Sequence, residues 1–338
     1  MPSETVSTLV SLTDRSPSIT GAEIVTQLVP PRQFSEASLE NYRPDPEFDS
    51  QAEAVAAVTA FGGAGAEAPR RGLFRKKPAA SVVRPGLYLD GGFGVGKTHL
   101  LAALWNRTPG RTYFGTFIEY TALVGAVGYA GAASQLKGAA LVCIDEFELD
   151  DPGDTMMMTR LLGDLADDGT RIAATSNTPP NALGEGRFAA ADFLREIQGL
   201  SDKFLTLRID GNDYRRREVE AKAHVAHDVD DAAASVCGTV SLDDFDAVVA
   251  HLATVHPSKY VKLVDDLAAV GLRDVHVLTS QVDALRLVAF VDRLYDAQIR
   301  VVASGTPLDQ VFSDEMLAGG YRKKYLRAVS RLVALTSL

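Results

Sequence analysis

The sequence predicts an α/β protein: a parallel sheet flanked by helices on both faces, with a smaller C-terminal α/β or helical region. Two observations predict it. From Val83 onward, short apolar runs alternate with amphipathic stretches of helical length, the pattern of strands joined by crossover helices. Within that pattern, Gly91-Gly92-Phe93-Gly94-Val95-Gly96-Lys97-Thr98 fits G-x-x-x-x-G-K-[ST], preceded by the apolar Gly86–Asp90 and followed by the helical His99–Trp105. Strand, glycine-rich loop and helix in that order form the setting in which the motif binds phosphate.

Taken in order, residues 1–33 are polar and Ser/Thr-rich and read as a flexible N-terminus, with a weakly helical patch near Ile24–Leu28. Residues 34–46 mix aromatics and prolines and read as an ordered arm; Gln51–Phe61 is an Ala-rich amphipathic helix. Residues 62–80 break the pattern and carry Arg70, Arg71, Arg75, Lys76 and Lys77. A solvated loop is the plainer reading of that cluster, contact with phosphates or lipid headgroups the sharper one. Strands are expected near 86–90, 111–115, 140–145, 171–176 and 204–209, and helices over 97–106, 117–136, 153–167 and 189–199. Asp150 or Asp151 would cap the helix that Pro152 and Asp154 open. Residues 34–211 thus form a core with its arm, and the charged stretch 212–240 a linker. In the C-terminal lid region, 241–338, strands are expected at 275–279 and 299–303, with helices around 241–253, 257–270, 281–296 and 319–335.

The bulk numbers exclude some classes. A net charge of −10 argues against broad attraction to nucleic acid or anionic membrane. Cys143 and Cys237 offer no disulfide framework and suit a reducing compartment. No apolar run approaches the roughly 20 residues that span a bilayer, and residues 1–18 lack the layout of a secretion signal, so the expected location is the cytoplasm.

The chemistry follows from charge. Backbone N–H groups of Gly91, Gly92, Phe93, Gly94, Val95 and Gly96 would turn toward phosphate oxygens, with the helix opening at Lys97, Thr98 and His99 adding its positive end. Lys97 would reach the β- and γ-phosphates of ATP, and the Thr98 hydroxyl would bind Mg²⁺. Leu141-Val-Cys-Ile-Asp145-Glu146 is an apolar strand ending in two acids. Asp145 is placed to hold Mg²⁺, and Glu146 to orient and deprotonate the attacking water. Asn177, where the next strand ends at Ser176-Asn177-Thr178-Pro179-Pro180, would bond the γ-phosphate or the water; turn formation alone is the competing account.

Together these blocks, IDEFELDDPGDTMM, ATSNTPP and IDGNDYRRR, resemble the ZapE cell-division ATPase family and its mitochondrial AAA+ relatives. Phe34, Tyr42-Arg43-Pro44 and Gln51 resemble the family's arm, and Arg286–Asp296, Ala303-Ser304, Arg327 and Arg331 its C-terminal block. The resemblance implies an oligomeric AAA+-type ATPase, a ring, acting on protein partners such as the bacterial division ring. It implies Tyr42 in an arm that wraps the adenine, and Arg286 in a lid, contacting the γ-phosphate; a surface helix arginine is the other reading of Arg286. The family's arginines after TSN-x-P-P are missing, since this chain has Ala189-Ala-Ala-Asp192-Phe193-Leu194 there. Arg195 and Arg187 flank the gap as candidate arginine fingers. The glycine-rich 124–131 could line a pore with Tyr129, although close helix packing explains it more simply. A helicase-loader-type ATPase and a small-molecule kinase share the loop; the first would need a basic stripe and the second an acceptor pocket.

Overall fold

In a computed structural model of the chain, described over residues 7–63, 84–147, 152–179, 198–199, 201–212 and 222–338, the chain forms two compact units. One comprises residues 20–214; the other joins residues 1–19 to 215–338. The basic cluster at 70–77, the cap at Asp150 or Asp151, the helix expected over 189–199 except its last two residues, and the two arginines at 187 and 195 lie outside the described residues.

The first described element is a strand, β1 (Ser7–Val10), after which the chain enters the first unit through helix α1 (Gly21–Gln27). A reciprocal capping box starts α1: the Thr20 side chain accepts from the Glu23 N–H, and the Glu23 carboxylate accepts from the Thr20 N–H. Helix α2 (Asp49–Gly63) buries Ala54, Val58 and Phe61. Then β2 (Gly86–Gly91), α3 (Lys97–Arg107), β3 (Thr112–Thr116), α4 (Phe117–Leu136), β4 (Leu141–Asp145), α5 (Pro152–Asp167), β5 (Arg171–Ser176) and β6 (Phe204–Ile209) follow. The strands make one all-parallel sheet in the order β3-β4-β5-β2-β6. All six residues of β2 and all five of β4 are buried, which is why they read as unbroken apolar runs rather than alternating ones. Leu87, Leu89, Leu100, Leu104, Phe114 and Ile209 pack into one core, each large apolar side chain contributing roughly 1.5–3 kcal/mol on burial.

This order positions the site. Strand β5 lies between β2, which feeds the glycine-rich loop, and β4, which ends in the two acids. The three C-terminal tips therefore converge, as ligand sites in parallel α/β sheets require.

In the second unit, α6 (Val229–Ala234) precedes β7 (Gly238–Asp244), α7 (Phe245–Thr254), the single turn α8 (Tyr260–Leu263), β8 (Leu267–Val275), α9 (Gln281–Asp296), β9 (Arg300–Gly305), α10 (Asp314–Ala318) and α11 (Arg322–Thr336). Its sheet is also all-parallel, in the order β1-β7-β8-β9. Three readings change here. The segment read as a flexible N-terminus contains β1, buried Leu12 and the capped α1. The stretch read as a linker is structured from residue 222 onward: Ala223 is buried, α6 is N-capped by Asp228, and β7 starts at Gly238. The helix expected over 257–270 shrinks to α8, and the strand expected at 275–279 sits at 267–275. Strand β8 is sandwiched between β7 and β9, where Gly271 lies close against Leu242 and Ala269 is buried with Ala233 and Val240; such small residues imitate a helix pattern in sequence.

Candidate active site

The glycine-rich loop leaves β2 at Gly91 and enters α3 at Lys97. Gly96 sits at φ +84°, a left-handed conformation that side chains rarely adopt, and a Cβ there would stand 2.4 Å from the ring of Tyr42. The Tyr42 hydroxyl donates to the Val95 carbonyl at 2.9 Å. On the next turn His99 binds the Ser38 carbonyl through Nε2 at 2.9 Å, with its ring tilted against Tyr42 at 5.6 Å and edge-on to Phe34 at 6.4 Å. Gln51, fully buried, donates to the Asp210 carbonyl at 3.0 Å and accepts from the Asp45 N–H at 2.8 Å. The arm, the loop and the Asp210-Gly211 block are thereby tied into one structure. Val95 is buried, Phe93 and Gly94 are half-buried, and Gly92 is exposed.

Lys97 is mostly buried and turns back on its own loop. Its Nζ donates to the Gly91 carbonyl at 3.0 Å, to the Gly92 carbonyl, and to Asn177 Oδ1 at 2.9 Å. Asn177, eighty residues downstream, is thus brought to the lysine by the adjacency of β5 and β2. The Thr98 hydroxyl lies against the Asp145 carboxylate, 3.2 and 3.1 Å from its two oxygens. Burial, and next the neighbouring Glu146, push the Asp145 carboxyl above the ordinary carboxylate range; the hydroxyls of Thr175 and Thr98 and the charge of Lys97 oppose this. A buried carboxylate beside a threonine hydroxyl, both hard oxygen donors, is a set that fits Mg²⁺, whose charge would favour the ionised form.

Glu146 follows with φ +55°, unusual for a residue with a side chain and of order 1 kcal/mol uphill. The structure over-determines it. The Glu146 N–H donates to Thr175 Oγ1 at 3.1 Å, and the Phe147 N–H donates to the Thr175 carbonyl at 2.7 Å. The Phe147 ring stands edge-on to Phe117 at 5.4 Å and to Tyr88 at 6.3 Å. The Thr175 hydroxyl in turn donates to Asp145 Oδ1.

Sequence reasoning overlooked Thr175 and gave Tyr42 a different partner. The run Ala174-Thr175-Ser176-Asn177 offered Asn177 as its polar end. The signal for Thr175 is its register: it stands one residue past the Ile144–Ala174 rung, level with Asp145. Arg286 lies on α9 in the other unit, where its Nη1 pairs with Asp283 Oδ1 at 3.0 Å. Tyr129 follows a kink in α4 at Gly128 (φ 73°, ψ 164°); its hydroxyl donates to Asp164 at 2.5 Å and Arg160 lies 4.8 Å from its ring centroid. Buried Cys143 packs in the core, where burial pushes its thiol up and away from nucleophilic chemistry.

A family model described as AFG1-like ATPase matches residues 20–240 and 232–338. The chain is similar to the cell division protein ZapE of Escherichia coli K12, 27% identical over 297 residues covering 75% of this chain and 78% of that one. It is also similar to lactation elevated protein 1 homolog B of Danio rerio, 22% identical over 294 residues covering 69% and 58%. Among solved structures, domain III of the replication initiation protein DnaA of Thermotoga maritima covers 60% of this chain and 81% of its own, at 18% identity and a TM-score of 0.39.

Proposed function

The chain belongs to the AFG1-like ATPase family, and from that premise we propose that it hydrolyses ATP with Mg²⁺ at the Gly91–Thr98 loop, as an oligomer acting on protein partners. The observation that carries the reading is the contact between Thr98 and Asp145, 3.1 Å apart and forty-seven residues apart in sequence. It joins the loop that binds phosphate to the strand tip that holds the acids.

The residues divide the work by charge. The loop amides and the start of α3 bind the phosphates. Lys97 exchanges its contacts with Gly91, Gly92 and Asn177 for phosphate oxygens, and Asn177, released, orients the γ-phosphate or the attacking water. Thr98 and Asp145 hold Mg²⁺, which when bound neutralises charge building on the phosphates. Glu146 takes the proton of the water. Arg286, and Arg195 or Arg187 from a neighbouring subunit, are the cations that the family resemblance offers for the γ-phosphate. Protein partners rest on the family and on the ZapE name; the division ring is the first to try, in the cytoplasm.

Phosphate release measured with and without Mg²⁺ tests the reading. Glu146→Gln should cut turnover by about a hundredfold or more with ATP binding nearly intact, the scale of a lost general base. Lys97→Ala should lose affinity for ATP instead. Glu146→Gln turning over at the parent rate would remove Glu146 from the reaction.

A further inference from the structure

We propose that Thr175 is a positioning residue of the hydrolytic reaction, fixing Asp145 and Glu146 relative to each other through one hydroxyl. The inference rests on the roles given to those two acids above.

The geometry converges on this one side chain. Thr175 is 1% exposed, on the strand between the loop strand and the acid strand. Its Oγ1 donates to Asp145 Oδ1 and accepts the Glu146 N–H at 3.1 Å, while its carbonyl takes the Phe147 N–H at 2.7 Å. A hydroxyl has one proton to give and lone pairs to receive, so both roles are filled at once. The last residue of β4 and the two that follow it are therefore pinned by one residue of β5.

The second of the three most needs pinning. Glu146 holds a positive φ that an unrestrained residue would leave for the extended region. Such a change re-aims its Cα–Cβ bond and carries the carboxylate with it, and general-base catalysis requires hydrogen-bond reach of the water. The same hydroxyl sets one oxygen of Asp145, whose carboxylate faces Thr98. Buried as it is, Thr175 acts through the two acids. A threonine that only joined two buried strands would affect stability and leave turnover per folded molecule alone.

Thr175→Val keeps the shape and removes the hydroxyl; Thr175→Ser keeps the hydroxyl. The full-length variants are compared for ATP affinity without Mg²⁺, for kcat, and for the Mg²⁺ concentration giving half-maximal rate. Thr175→Val should bind ATP within about twofold of the parent, lose roughly 10- to 100-fold in kcat and need more Mg²⁺, as displaced catalytic groups do. Thr175→Ser should stay within about threefold on every measure. Parental kcat in Thr175→Val, or a Thr175→Ser as impaired as Thr175→Val, overturns the proposal. If Thr175→Val does not melt cooperatively, Thr175→Cys replaces it, sulfur being a poor donor and acceptor; equal kcat in the Ser and Cys variants is then the overturning result. Glu146→Gln is run alongside. An active Glu146→Gln condemns the assignment of the acids, whereas an inactive one beside a fully active Thr175→Val condemns only the role of Thr175.

Discussion

The ring of Tyr42 occupies the volume that a Cβ on Gly96 would need, and its hydroxyl holds the carbonyl of the residue before. Its other neighbour is His99, itself anchored to the Ser38 carbonyl. These contacts brace the glycine-rich loop from behind; the adenine-stacking role expected of Tyr42 from the arm is a separate one. The two roles separate by ligand. A brace shapes the cradle, so Tyr42→Ala should weaken ATP and inorganic tripolyphosphate by similar factors, on the order of tenfold. Tyr42→Phe, which loses one neutral hydrogen bond of about 1 kcal/mol, should lose roughly fivefold. Calorimetric titration with both ligands measures this. Weakened ATP beside unchanged tripolyphosphate would return Tyr42 to the base. The glycine-rich loop and the strand ending in Asp145 were legible as elements because a fixed spacing and an apolar run mark them in sequence. Thr175 and the bracing contact of Tyr42 were not, because each depends on which strand or arm lies alongside, and local sequence does not encode that.

At the scale of elements, α9 and α11 are clamped by a buried charge cluster. Arg327 pairs with Asp292 Oδ2 at 2.8 Å, Arg331 bonds the other oxygen, and Arg331 also lies 5.0 Å from the Tyr295 ring centroid. Burial pushes the Asp292 carboxyl upward, but Arg327, Arg331 and Arg293 more than offset this and hold it at about 2. A depressed carboxylate stabilises the fold above its unfolded pKa of about 4, and that stabilisation drains away as pH falls toward about 2. Asp292→Asn should therefore cost about 3 kcal/mol near pH 7, the scale for removing one partner of a buried pair. Urea unfolding followed from pH 7 to pH 3 should show the gap between parent and variant narrowing below about pH 4; a constant gap would mean the carboxylate charge is not what matters. The clamp hardly showed in sequence, where Asp292, Arg327 and Arg331 are three charges on two amphipathic helices. Conversely, β2, β4 and β5 were placed within a residue because buried parallel strands announce themselves as apolar runs. The four-residue β1 had no such signal, and its partner β7 starts more than 230 residues later.

For the whole molecule, the proposed ring makes turnover a property of subunit contacts. An arginine supplied by a neighbour changes phosphoryl-transfer rates by roughly 10³–10⁵. Activity per subunit should accordingly rise with protein concentration. Arg195→Ala or Arg187→Ala, inactive alone, should recover part of that activity when mixed with Lys97→Ala, whose arginines are intact. Steady-state phosphate release across a concentration series and across mixing ratios reads both effects. Flat specific activity with no recovery on mixing would place the needed cation within the same chain.

The parallel pairing of β1 with β7 means that the ATPase unit is an insertion: the chain begins one fold, leaves it, completes another, and returns. On a ribosome the first strand emerges before any of its own sheet exists, and it waits for nearly two hundred residues of another unit to be made. The nucleotide-binding unit can therefore fold during synthesis while the other sheet, begun at β1, stays incomplete until β7, β8 and β9 have been made. Maturation is thereby split in time, with the Gly91–Thr98 loop and both acids in place before the second sheet closes behind them.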